Sequence, residues 1–198
     1  MLMFHIGVES LLSKVIPNDY GTASAPSLEQ LWKVNHLEYA GLASTPSLYV
    51  REECIKLWDV LDKNMKRTLI YGCPGVGKST EVFGWVNVQG LSGKCILWVH
   101  YNISSGVHIV LWKDSGMHVG NFMEDYEADI ERLKNAYKID TAVFDGFPSG
   151  KNIVEFSFQQ FQNSNVVVCA SHTVDRIFNS ESMVWLQSRG YIDCEVLS

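Results

Sequence analysis

The sequence predicts an α/β fold: a three-layer sandwich with helices on both faces of a mainly parallel central sheet, preceded by a short helical segment. Three observations predict it. Apolar runs of strand length recur at residues 68–71, 95–100, 141–145 and 165–170. Stretches with helical spacing separate most of these runs. A glycine-rich octet, Gly72-Cys73-Pro74-Gly75-Val76-Gly77-Lys78-Ser79, joins the first run to the first of the helices between them.

The elements follow in chain order. Residues 17–21 read as a turn and 22–26 as a small-residue linker. Ser27 and Gln30 have the spacing of a capping box, which predicts a helix carrying Leu31, Trp32, Val34 and Leu37 inward. Residues 44–47 break it. A second helix over about 50–61 places Cys54, Leu57, Trp58 and Leu61 on one stripe, which reads as core packing. A strand at 68–71 follows, then the octet and a helix over 77–88. Strands at 95–100 and 107–112 flank Asn102-Ile103-Ser104-Ser105-Gly106, a hairpin loop. A helix is expected over 121–137, acidic early and basic late as the helix dipole favours. Residues 141–145 and 165–170 are buried strands with a helix at 153–161 between them. The organisation expected is a helical and linker segment at 1–47 and one α/β domain at 48–198.

Bulk properties agree with a packed domain. The chain has 198 residues, 46% of them hydrophobic, enough for one substantial core. A net charge of −6 does not indicate a nucleic-acid-binding surface. The five cysteines are odd in number and irregularly spaced, without a metal-type pair, which predicts a reduced, intracellular chain. The apolar start at Met1–Val8 is too short to cross a bilayer, and no basic leader precedes it, so no membrane association is expected.

The octet carries the chemistry. It fits the phosphate-loop pattern G-x-x-x-x-G-K-[ST] at every position. Gly72, Gly75 and Gly77 let backbone N–H groups turn toward a polyphosphate, with Cys73, Pro74 and Val76 completing the loop. The following helix, entered through Thr80, adds the partial positive charge of its N-terminus. Lys78 reaches the β/γ-phosphates, and the Ser79 hydroxyl suits Mg²⁺. The ligand expected is therefore ATP or GTP with Mg²⁺.

Asp145 is the matching carboxylate. It ends a buried strand, the position at which ligands bind in open α/β sheets, and there it can hold Mg²⁺ through water. The plain alternative is a turn aspartate. The strand at 95–100, intervening in sequence, makes the arrangement resemble the additional-strand division of P-loop NTPases. Many hydrolases of that division carry Glu directly after this Asp; here Gly146 follows. Asp140, Glu124, Asp125, Ser171 and His172 are the candidate substitutes for orienting an attacking water. Ser171, at a strand tip, is the candidate for contact with the γ-phosphate or that water; a helix N-cap is the alternative. His100, His108 and His118 show no metal-type spacing.

Taken together, Leu48-Tyr49-Val50-Arg51-Glu52-Glu53-Cys54, the octet, Val143-Phe144-Asp145-Gly146 and Val167-Val168-Cys169-Ala170-Ser171 resemble, in that order, the NTPase module of the retrotransposon hot spot and Crinkler-type proteins. The resemblance covers residues 48–190. It implies phosphate binding by Gly72, Gly75, Gly77, Lys78 and Ser79, a Mg²⁺ role for Asp145, and an Asp-Gly pair at this tip as typical. The chain departs from the family pattern in two expected respects, the secretion leader and the C-terminal helical lid of family members. Site completion across a subunit contact, in a homo-oligomer or larger assembly, is common in the additional-strand division. Two rivals remain at this level. One is a small phosphotransferase, whose Arg-rich lid is not evident among the scattered Arg132, Arg176 and Arg189. The other is a remnant that binds nucleotide without turnover.

Overall fold

The structure is a computed structural model that describes residues 12–15, 25–34, 36–43, 47–63, 66–72, 75, 77–122, 126–147, 153–171 and 184–187. In chain order these form β1 (Ser13–Val15), β2 (Leu31–Trp32), β3 (Leu48–Tyr49), α1 (Glu52–Asp62), β4 (Arg67–Gly72), α2 (Lys78–Leu91) and β5 (Ile96–Asn102). Then come β6 (Gly106–Lys113), β7 (Gly116–Phe122), α3 (Tyr126–Ala136), β8 (Thr141–Asp145), α4 (Ile153–Gln160), β9 (Asn165–Ser171) and β10 (Val184–Gln187).

The sheet has the order β1-β7-β6-β5-β8-β9-β4-β10. From β10 to β5 all neighbours are parallel. From β5 to β1 all are antiparallel. The sheet is therefore mixed, with a parallel half and an antiparallel meander. The strand separating β4 from β8 in space is β9. The strand at 95–100, which intervenes between them in sequence, lies on the far side of β8.

Strand alternation sorts the core into two layers. Ile70, Ile96, Trp98, Val143, Val167 and Cys169 point to the face covered by α1 and α2. Leu69, Leu97, Val99, Ala142, Phe144, Val166 and Val168 point to the other, where Ile130 and Leu133 of α3 and Phe156 of α4 pack. Because the parallel strands are covered on both sides, they read as continuous apolar runs. No described helix is long and apolar enough to cross a membrane.

Two sequence expectations fail for physical reasons. The helix expected after Ser27 is not formed. Ser27 N–H does donate to Gln30 Oε1 at 3.0 Å, but on a turn. Glu29 has φ 60°, outside the right-handed helical region. Glu29 N–H bonds Val50 O, and Val50 N–H bonds Gln30 O, both at 2.9 Å. Pairing of β2 with β3 thus overrides local propensity, and among the described residues no helix precedes Glu52. The second failure is the helix start at 121. Residues 116–122 are instead strand β7, and α3 starts at Tyr126. Asp114 and Ser115, with φ 51° and 56°, make the reversal from β6 without the glycine that usually signals such a hairpin.

The N-terminal segment packs into the main core. Val34, Leu37 and Ala40 are buried beside α1 and α2, and Trp98 Nε1–H donates to Ala40 O at 3.2 Å. Trp32 meets Trp58 edge-on with ring centroids 5.4 Å apart. Helix α2 admits such indoles through glycine. A Cβ on Gly90 would stand 2.4 Å from Trp112 Cγ, against a fully buried ring. Alanine in an exposed helix interior gains up to about 1 kcal/mol over glycine. Here the sign reverses: Gly90→Ala is expected to destabilise by about 1–3 kcal/mol, read as a lowered urea midpoint at unchanged m-value.

Candidate functional site

The site lies where the C-terminal tips of the parallel strands meet the start of α2. Strand β4 ends at Gly72, and α2 begins at Lys78 behind Gly77. Gly75 and Gly77 have φ 81° and 95°, the left-handed conformation that only glycine adopts without strain. Gly77 stands where the pattern fixes a glycine, and Gly75 stands at a position that the pattern leaves open. Cys73, Pro74 and Val76 lie outside the described residues.

Behind this turn a cleft of about 360 Å³ opens. Gly75, Gly77, Lys78, Ser79 and Thr80 line one side; Asp145, Gly146, Phe147, Cys169 and Ala170 line the other. The volume falls within the range of small-molecule sites. A larger groove of about 860 Å³ sits at the opposite end of the sheet, around Lys94, Lys138 and Asn165. Size alone would favour it, but none of the motif residues lines it.

Asp145 is the centre of the site. It is 2% exposed, at the last position of β8. Ser79 Oγ–H donates to its Oδ1 at 2.9 Å, across 66 residues of sequence. His100 Nδ1 lies 2.7 Å from its Oδ2. A carboxylate only accepts, so Nδ1 carries the proton and donates. His100 stands directly opposite Asp145 in the parallel pairing of β5 with β8, which fixes the contact in the backbone register. The donors satisfy both oxygens of a buried carboxylate, which burial requires.

Lys78 and Cys169 complete the floor. Lys78 is 8% exposed, and Cys169 is paired in register with Asp145 across β8 and β9. Burial pushes the Cys169 thiol well above its ordinary range; the nearby Asp145 charge adds to this and Lys78 opposes it. One turn into α2, Glu81 is buried and accepts from Arg51 Nη2 at 2.6 Å. That bond raises the Arg51 pKa, with burial opposing. Trp58 Nε1–H adds a bond to Glu81 O at 3.0 Å. These contacts anchor the first turn of α2 to α1.

The other sequence candidates are distributed as follows. Ser171 ends β9 opposite Gly72 of β4, so its backbone reaches the same edge. Asp140 precedes the first residue of β8, a full strand from the cleft, and its Oδ2 accepts from Cys95 N–H at 2.9 Å. It therefore cannot orient a water at this site. Glu124, Asp125, His172, Arg176 and Arg189 lie outside the described residues. Arg132 is engaged with Asp129 at 2.9 Å on α3. No group of three or more His, Cys, Asp or Glu side chains suited to a metal occurs among the described residues. The donors at this site are instead a hydroxyl beside a carboxylate, a pair that fits a hard cation shared with phosphate oxygens and water.

The sequence set His100 aside for want of metal-type spacing and did not single out Glu81. The available signal for His100 was its place at the end of an apolar strand, the same place that singled out Asp145. No protein-family model, curated protein or solved structure matches the chain.

Gly146 has φ 74°, and a Cβ there would lie 2.5 Å from Tyr101 O and 2.9 Å from His100 Cε1. The left-handed backbone alone costs a residue with a side chain about 1–2 kcal/mol. Gly146→Ala is therefore expected to lose at least about 2 kcal/mol of stability in urea unfolding, and Gly146→Glu to lose more.

Proposed function

We propose that this chain binds a nucleoside triphosphate together with Mg²⁺, as an NTPase-type module of the additional-strand kind. The observation that carries this reading is the 2.9 Å bond from Ser79 to Asp145. The sequence singles out these two residues separately, one from a phosphate-loop pattern and one from a strand tip. They meet at the single edge where the α2 dipole, the Lys78 ammonium and a cleft of suitable volume converge. Strand β9, inserted between β4 and β8, supports the additional-strand assignment.

In this reading the loop amides and the α2 N-terminus take the phosphates, and Lys78 offsets their charge. Ser79 and Asp145 are the residues that would hold Mg²⁺, which supplies charge neutralisation of the β- and γ-phosphoryl oxygens when bound. Among the described residues lining the cleft, Asp145 is the only carboxylate. The cleft therefore supports binding. Turnover requires a water-orienting group besides Asp145.

The test is a titration with fluorescent ATP and GTP analogues, with and without Mg²⁺. Lys78→Ala is expected to weaken binding by about 10- to 100-fold, the equivalent of a charge-assisted hydrogen bond to phosphate. Asp145→Ala is expected to remove the Mg²⁺ dependence while retaining metal-free binding. Phosphate release in the same samples separates turnover from binding alone. Unchanged affinity in Lys78→Ala refutes the assignment.

A further inference from the structure

The Asp145 carboxylate is held by an imidazole that the fold has itself immobilised. His100 is 9% exposed and lies between two glycines of left-handed conformation. Gly146 passes beneath one edge of the ring, and a Cβ there would stand 2.9 Å from Cε1. Gly41 passes over the other, with the corresponding distance 2.8 Å to Cδ2. No other residue fits either place without moving the ring. The Trp98 indole lies nearly parallel to the ring, at 12°, two residues back on the same face. His108 stands opposite His100 on β6, with ring centroids 6.4 Å apart. His108 Nε2 is itself engaged with Ser105 Oγ at 2.6 Å.

In the ring so enclosed, Nδ1 meets Asp145 Oδ2 at 2.7 Å. His100 is absent from the cleft lining, which Asp145 joins. It is therefore placed to act through the carboxylate and not on a ligand.

We propose that His100 is a positioning residue of the divalent-cation site: its Nδ1–H engages Oδ2 and sets the carboxylate so that Oδ1 faces Ser79 and the cleft. This rests on the Mg²⁺–nucleotide reading above and extends it to a residue outside the phosphate-loop pattern. The cost of fixing the carboxylate is met during folding, so the cation meets an oriented oxygen. The device also draws in residues 36–42, because Gly41 closes over the ring and Ala40 O holds Trp98 in place.

The experiment compares His100→Ala with His100→Asn, whose Nδ2–H₂ can replace the Nδ1 donor. Nucleotide binding is titrated at zero Mg²⁺ and across a Mg²⁺ series. His100→Ala is expected to leave Mg²⁺-free affinity unchanged and to raise the half-saturating Mg²⁺ concentration by about tenfold, the loss of one charge-assisted bond. His100→Asn is expected to recover most of that loss. A merely structural role would lower both affinities together and show no rescue. A nucleotide-independent readout accompanies it: in a long-range ¹H–¹⁵N spectrum of the wild-type chain, His100 is expected as the Nδ1–H tautomer, shifted by Asp145→Asn. An unchanged Mg²⁺ requirement in His100→Ala, absence of rescue by His100→Asn, or an Nε2–H tautomer overturns the inference and leaves the nucleotide reading standing. No Mg²⁺-dependent binding by the wild-type chain overturns both.

Discussion

A carboxylate that is 2% exposed is stable as an anion only if the protein replaces the water it has lost. Asp145 meets that requirement with a hydroxyl on one oxygen and an imidazole on the other. Each donor comes from a different element, α2 and β5, and each element must be in register for the donor to arrive. If β8 slips by one residue, Asp145 moves to the opposite face and the carboxylate is buried without a partner. The same bonds that satisfy the charge therefore fix three elements with respect to one another. Parallel pairing through β10-β4-β9-β8-β5 brings all the strand tips to one edge, and α2 starts at that edge because β4 ends there.

Close approach is the second constraint, and glycine provides it. At Gly90 the helix α2 admits an indole of the sheet, and at Gly84 it admits Trp32 from the N-terminal segment. At Gly41 the N-terminal segment comes down onto His100 and His108. The layer covering that face of the sheet is built partly from residues that precede the phosphate loop by tens of positions. Packing there and order at Asp145 are consequently linked through Trp98 and the His100 ring. The opposite face is filled by Phe144, Phe156 and Phe161 around α3 and α4, and it reaches the cleft through Phe147, which packs on Phe144.

The parallel half of the fold was legible because burial on both faces writes itself as uninterrupted apolar runs, as at residues 141–145 and 165–170. The start of α2 was legible because glycine, lysine and serine at fixed spacing have a mechanical meaning. The antiparallel half was less so. Strand β7, Gly-Met-His-Val-Gly-Asn-Phe, has few β-branched residues, and its turn uses Asp114 and Ser115 where glycine would have announced a reversal. Residues 27–37 misled for another reason. Their local capping bond forms, but the backbone of Glu29 and Gln30 bonds to Val50, a partner twenty residues away that no local pattern reveals. His100 was hidden because its role depends on strand order. Nothing in Ile96–His100 says that β8 lies beside it.

Strand order also explains why Gly146 follows the aspartate. A glutamate at that position would be the simplest way to orient an attacking water. Yet the chain turns there with φ 74°, under Tyr101 O and against the edge of the His100 ring. A Cβ would displace either the β5 backbone or the imidazole, and with the imidazole would go one of the two donors on Asp145. In this architecture a histidine clasping the carboxylate and a side chain on the next residue exclude one another. The glycine at 146 is thus the steric counterpart of the His100–Asp145 pair.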